Sequence, residues 1–139
     1  MPWGDDETIE RILADTKVWA VVGLRDDPRR PAWGVAHFLQ QHGKQIVPVH
    51  PHPQVVHGEQ GFSSLLEVPF PVDVVDVFVN STRAGAVADD AIRIGAKAVW
   101  FQLGVVDEAA YDRVRTTGTA MVMDHCPAIE WPRLGPLTA

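Results

Sequence analysis

Positive charge is in short supply in this chain: 12 lysines and arginines stand against 18 aspartates and glutamates, a formal net charge of -6. A protein of that sign has no broad cationic face for nucleic acid or an anionic membrane surface, so any anion site must be local. Cysteine is nearly missing. The one thiol, Cys126, excludes an internal disulfide and a cysteine-cluster zinc site, fits a reducing compartment, and is expected to be reduced. Long apolar runs are absent: nothing approaches the roughly 18 to 20 residues that a membrane helix needs. The opening MPWGDDETIE is acidic where a signal peptide is basic and then apolar. These absences predict a cytoplasmic protein that engages neither nucleic acid nor membrane. At 139 residues and 46% hydrophobic content, residues 1–139 read as one globular domain.

Two nucleotide signatures are also lacking. A dinucleotide fingerprint requires G-x-G-x-x-G and an acidic residue closing the second strand. Here Gly23 is followed by Leu24, Arg25, Asp26, Asp27 and Pro28, and the second strand ends in His50 and Pro51. NAD is disfavoured on both counts. The Gly-Lys-Ser/Thr ending of a P-loop is nowhere in the chain, which removes ATP hydrolysis of that class.

What is present is an alternation of helical and strand patterns. Ile9, Ile12 and Leu13 lie at helical spacing within 5–16, after acidic residues that suit a helix N-terminus. The runs KVWAVVG, QIVPVHP, DVVDVFV, AVWFQL and AMVMD are short, apolar and β-branched or aromatic, the composition of strands covered on both faces. Helices are predicted at 32–42, opened by Pro31 and closed by Gly43, at 84–95 and at 107–117. The stretch 52–72 reads as a long connection with one helical turn near 63–66. Pro48 lacks a donor and suggests that its strand is an edge strand or irregular.

Strands alternating with helices predict an α/β, Rossmann-like, doubly wound five-stranded parallel sheet in three α/β/α layers, for which we expect the order 3-2-1-4-5. Ligands of such sheets bind beyond the carboxyl ends of the strands. That rule selects Gly23 to Arg25, His50 to Pro51, Val79 to Ser81, Gln102 to Gly104, and Asp124 to Pro127.

At the first of these places the chain reads VVGLRDDPRRPAWG, from Val21 to Gly34. A glycine at a strand end permits close backbone approach, the following helix offers free N–H groups, and Arg25, Arg29 and Arg30 can reach phosphates. Against this stands a bland alternative, in which the arginines pair with Asp26 and Asp27 on a solvated loop.

The segments VVGLRDDPRRPAWGVAHFL, IVPVHP, GEQGFSSLLEVP, VDVVDVFVNS, AIRIGAKAVWFQLGV and VMDHCPAIEWPRL, taken in order, resemble the small single-domain bacterial CoA-binding proteins. These are relatives of the CoA-binding N-terminal domain of succinyl-CoA synthetase alpha subunits. The resemblance implies that the loop of Gly23, Leu24, Arg25, Arg30, Pro31 and Trp33 cradles the phosphates of coenzyme A or an acyl-CoA. It implies too that His50 and Pro51 lie near the adenosine, and that Phe78, Asn80, Ser81, Gln102 and Gly104 line the rest of the groove, with Cys126 nearby. The chain departs from the family where relatives place serine (here Arg25), Asn or Ser (His50), and arginine (Val79 and His125). These exchanges either supply new contacts or weaken binding, and the sequence leaves both open.

His50, His52 and His57 invite a metal reading, but the prolines between them break regular ligand spacing and no carboxylate or thiolate motif accompanies them. Asp124, His125 and Cys126 resemble a catalytic set in composition only, since adjacent residues at a strand end point in different directions. Trp33 and Trp100 are expected in the core, with Trp33 also a candidate ligand neighbour. Two function classes follow: a binding module that holds CoA without transforming it, favoured by the lack of a catalytic motif, or an acyl-CoA-processing enzyme or ligase subunit that needs a partner. A groove adapted to another adenine nucleotide is the third possibility.

Overall fold

The computed structural model describes residues 3–137. Its elements are α1 (Asp6–Asp15), β1 (Val18–Val22), α2 (Pro31–Gln41), β2 (Gln45–Val49), β3 (Val74–Val77), α3 (Ser81–Arg93), β4 (Ala98–Phe101), α4 (Glu108–Thr116), β5 (Ala120–Val122) and α5 (Pro127–Leu134). A single 3-10 turn, Leu65–Glu67, falls where the long connection was expected to hold a helical turn. All five strands run parallel, and β3 and β4 are buried along their whole length because helices cover both faces.

The core forms two layers. On one face α3 and α4 pack Ala84, Ala88, Ala91, Tyr111 and Val114 against the sheet; on the other α1, α2 and α5 contribute Ile9, Leu13, Ala36, Leu39 and Trp131. Trp100 is fully buried in the second layer and packs against Trp19, ring centroids 5.8 Å apart. Trp33 is not a core residue: it is half-buried, and its indole N–H donates to Asp26 Oδ1 at 3.1 Å.

The strand order is β2-β1-β3-β4-β5, not 3-2-1-4-5. β3 pairs with β1, Val21 facing Asp76, which leaves β2 at the edge of the sheet. Pro48 explains the difference. In the expected order its strand would have had a neighbour on each side and one ladder bond without a donor; at the edge Pro48 needs only to accept, and its carbonyl takes the Phe62 N–H at 2.9 Å. The α2 helix buries Ala32, Ala36 and Leu39 with Val35 and Phe38 partly exposed, and α3 buries Ala84, Ala88 and Ala91 with Val87 partly exposed. The helix α5 had no counterpart in the sequence reading, because Pro132 inside it hides the periodicity. Among the described residues no helix is long and apolar enough to cross a membrane.

One residue contradicts its surroundings. Asp76, between Val21 and Trp100 in the sheet, is 0% exposed, and among the described residues neither carboxyl oxygen has a hydrogen-bond partner. Burial alone pushes its pKa well above the ordinary 3.8. The folded state therefore holds a proton that the unfolded chain releases, so this group's contribution to stability is present at low pH and is lost as pH rises above about 3.9, by about 1.4 kcal/mol per unit until the folded carboxyl ionises. Asp76→Val is expected to be more stable than the wild type at pH 7, with the gap narrowing as the pH falls toward 4. Urea denaturation of both proteins across that range checks this; a less stable variant at pH 7 would count against an unpaired carboxyl.

Candidate functional site

Because β1 and β3 are neighbours, the helices that follow them part to opposite faces of the sheet, α2 to one and α3 to the other. A cleft opens between their N-termini, at the carboxyl ends of the strands, with a volume of about 860 Å³. Gly23, Arg25, Arg30 and Pro31 form one wall. His50 and Pro51 come from the end of β2, Phe78 and Asn80 from the end of β3, and Gln102 and Cys126 from beyond β4 and β5. Ten of the fourteen residues singled out in the sequence thus meet on one surface.

Gly23 holds its corner through a backbone that side chains resist. Its φ is +101°, and its N–H donates to the Val49 carbonyl at 2.8 Å. A Cβ there would stand 3.3 Å from that of Phe78, so the missing side chain lets β1 and β3 end side by side. The need for glycine is internal to the protein, in addition to any room a ligand takes.

The remaining four stand off the cleft wall. Leu24 is 0% exposed, and the turn at Gly23 drives it into the layer beneath α2. Trp33 packs against His57 with ring centroids 4.4 Å apart and the rings tilted by 58°. Ser81 and Gly104 bind each other: the Ser81 hydroxyl donates to the Gly104 carbonyl at 3.3 Å and accepts from Val106 N–H at 2.9 Å, which moors the loop after β4 to α3.

The arginines divide. Arg29 makes a two-pronged bond to Asp27, Nε to Oδ1 at 3.0 Å and Nη2 to Oδ2 at 3.2 Å, and holds that carboxyl below its usual range. Arg30 approaches the same carboxylate only at 3.9 Å, and Asp26 is engaged by Trp33 rather than by an arginine. Among the described residues Arg25 has no carboxylate partner, and neither does Arg83, a cleft residue that the sequence reading missed. Its only signal was position: a cation in the first turn of a helix, two residues after a serine at a strand end.

His50 carries the polarity of this corner. His52 N–H donates to its Nδ1 at 3.0 Å, so the neutral ring bears its proton on Nε2. Burial first, then the charge of Arg25, with Arg83 acting the same way, pushes the imidazole below its usual pKa. His57 lies apart from His50 and His52, its Nε2 on the Trp33 carbonyl at 2.8 Å. Asp124, His125 and Cys126 diverge: Asp124 accepts from Gly104 N–H, His125 Nδ1 meets Glu130 Oε1 at 3.2 Å, and Cys126 reaches the cleft.

Helix ends distinguish this surface from the rest of the fold. Asp5 caps α1 and Asp107 caps α4, each accepting a backbone N–H. The N-caps of α2, α3 and α5 are Arg30, Asn80 and Cys126; none makes a side-chain cap bond, and all three line the cleft. Three positive helix ends are thus left open toward one space.

The family described as CoA binding domain matches residues 17–132. The chain belongs to this family. The chain is 37% identical over 118 residues to the uncharacterized protein YneT of Bacillus subtilis (strain 168), covering 85% of this chain and 87% of that one. A hypothetical protein from Pyrococcus horikoshii OT3 superimposes with a TM-score of 0.89 at 34% identity, over 94% of this chain and 92% of that one. The fold alone is shared with a dinucleotide-forming acetyl-coenzyme A synthetase 1 of Ca. Korarchaeum cryptofilum, at a TM-score of 0.70 and 22% identity over 86% of this chain and 30% of the synthetase.

For a CoA binding domain of this kind Gly23 has a measurable structural cost of replacement. Gly23→Ala must adopt a strained φ against the end of β3, and is expected to lose about 1–3 kcal/mol of stability in the absence of ligand. A lower urea midpoint at unchanged slope is the expected reading; a midpoint equal to wild type would show that the corner relaxes freely.

Proposed function

We propose that the protein binds coenzyme A, free or acylated, in the cleft at the carboxyl ends of its strands, and acts as a binding module rather than as a catalyst by itself. The observation that carries this reading is the convergence of three uncapped helix N-termini with Arg25, Arg30 and Arg83 in a protein of net charge -6. Open helix ends, the guanidinium groups of Arg25 and Arg83 without a carboxylate partner among the described residues, and Arg30 held only loosely by Asp27 at 3.9 Å are a demand for anions, and the family suggests the anion's identity. The α2 end with Arg25 and Arg30 suits the diphosphate; Arg83 and His50 Nε2–H, across the cleft, suit a further phosphate. Val35, Leu65, Val87 and Val105 give the cleft apolar wall for the base and the thiol-bearing arm.

Arg83 then takes the place of the arginine that family members carry where this chain has Val79. The charge is delivered one helical turn later and to the same cleft, which supports retention of phosphate binding rather than its loss.

The test is thermal. CoA at about 100 times its dissociation constant is expected to stabilise the fold by about 2.7 kcal/mol, a rise of several degrees in melting temperature. Arg83→Ala and Arg30→Ala should each reduce the rise, with a deficit that shrinks as salt increases because these contacts are exposed to screening. Dephospho-CoA should give a smaller rise than CoA in wild type and an equal one in whichever variant has lost the reader of the 3′-phosphate. A rise with ATP or NAD and none with CoA would assign the cleft to another adenine nucleotide. Release of free thiol from an acyl-CoA by the purified protein would make it an enzyme.

A further inference from the structure

We propose that Cys126 captures the thiol end of the ligand as a mixed disulfide, by exchange with the ligand's own disulfide form. The inference rests on the reading of the cleft as a CoA site and assigns a reactive position within it.

Cys126 is the single cysteine of the chain, is 7% exposed, and lines the cleft. It is the N-cap residue of α5, followed by Pro127, and its sulfur makes no cap bond. The sulfur thus stands at the positive end of a helix dipole, on a surface reached through the cleft. Gln102 supplies the second, independent sign of a ligand. It lines the same cleft and is 6% exposed, yet among the described residues its Oε1 has no hydrogen-bond partner. Buried amide oxygens are almost always satisfied. The thiol-bearing arm of CoA carries secondary amides, whose N–H groups are the donors this wall lacks. An amide acceptor and the sole thiol lining one cleft match the polarity that such an arm presents in order: amide, two carbons, sulfur.

The step balances without an outside oxidant. Cys126 loses its proton to water, and the thiolate attacks one sulfur of the ligand disulfide. The new sulfur–sulfur bond forms as the old one breaks, and the electron pair leaves on the second ligand half as a thiolate, which takes up a proton. Cys126 is oxidised and one half of the disulfide is reduced. Attack by any free thiol reverses it. Since access governs exchange, a thiol buried in this cleft should discriminate between disulfides that bind there and those that do not.

The experiment follows intact mass after mixing wild-type protein with CoA disulfide or, separately, with oxidised glutathione. One CoA half should add at Cys126, located by peptide mapping and removed by dithiothreitol, at a rate that saturates with CoA disulfide and exceeds that with oxidised glutathione at least about tenfold. Gln102→Leu should raise the CoA disulfide concentration needed for half-maximal rate. The melting shift with CoA in reductant, measured on the same preparation, keeps the two readings apart. A CoA shift without an adduct, or with an adduct that forms equally fast from both disulfides, overturns the capture proposal and leaves the binding site standing. Absence of the shift overturns the site, and the proposal falls with it.

Discussion

The adjacency of β1 and β3 is the constraint from which the rest of this structure follows. Two parallel strands side by side, each continuing into a helix on a different face, cannot both be roofed at their carboxyl ends, so a cleft forms there. Close adjacency at that end depends on Gly23, since a Cβ there would press on Phe78. The opposite end of the same strands is held by Asp73, whose Oδ2 accepts the Lys17 and Val18 N–H groups while Oδ1 meets Lys97 at 3.3 Å. One carboxylate thereby fastens the starts of β1, β3 and β4, and the divergence is confined to the ligand side.

Charge is distributed to the same effect. An acidic protein repels a polyphosphate at long range, and binding then depends on what is concentrated within a Debye length of the site. The fold neutralises the helix ends and arginines that face elsewhere: Asp5 and Asp107 cap α1 and α4, Asp27 takes Arg29, Asp89 takes Arg113, and Asp6 takes Arg133. Arg25 and Arg83, which it leaves without a carboxylate partner among the described residues, face the cleft. Asp90 is the exception on that wall, and it is turned toward Arg93 at 3.3 Å.

Much of this was legible in the sequence, for physical reasons that also mark where legibility stopped. Strands buried on both faces are continuous apolar runs, so all five were visible and their carboxyl ends located the cleft. Neighbour relations leave no periodicity. The only clue to strand order was Pro48, and its meaning as an edge residue had to override the expectation that β2 lies inside the sheet. Residues whose backbone lies at a strand end, such as Gly23, His50 and Gln102, line the cleft. Leu24, Trp33, Ser81 and Gly104 do not, because a sequence position does not say which way a side chain turns: Leu24, after the positive φ at Gly23, is fully buried, and the Trp33 indole binds Asp26. Arg83 was hidden for the opposite reason, since a cation in a helix reads as solvated surface until the helix is known to begin at the site. Asp76 read as one more strand residue, and nothing in DVVDVFV announces a carboxyl buried without a partner.

The rims of the cleft are bound to each other as well as to the sheet. Asp26 N–H donates to Gln54 Oε1 at 2.8 Å, the Gln40 side chain donates to the His57 carbonyl at 3.0 Å, and His57 Nε2 returns to the Trp33 carbonyl at 2.8 Å. These bonds join the arginine loop and α2 to the segment that follows β2, across the bridge between Val56 and Glu59. His57 accepts a φ of +51° to reach its place, and Gly61 must be glycine because a Cβ there would overlap the Gln54 carbonyl oxygen. Backbone strain of the kind seen at His57 persists only where the surroundings impose it. Ordering the arginine-bearing wall in advance would lower the entropic cost of binding a ligand there, and the loop of prolines and charges, fastened through Asp26 to Gln54, is a braced wall of the cleft.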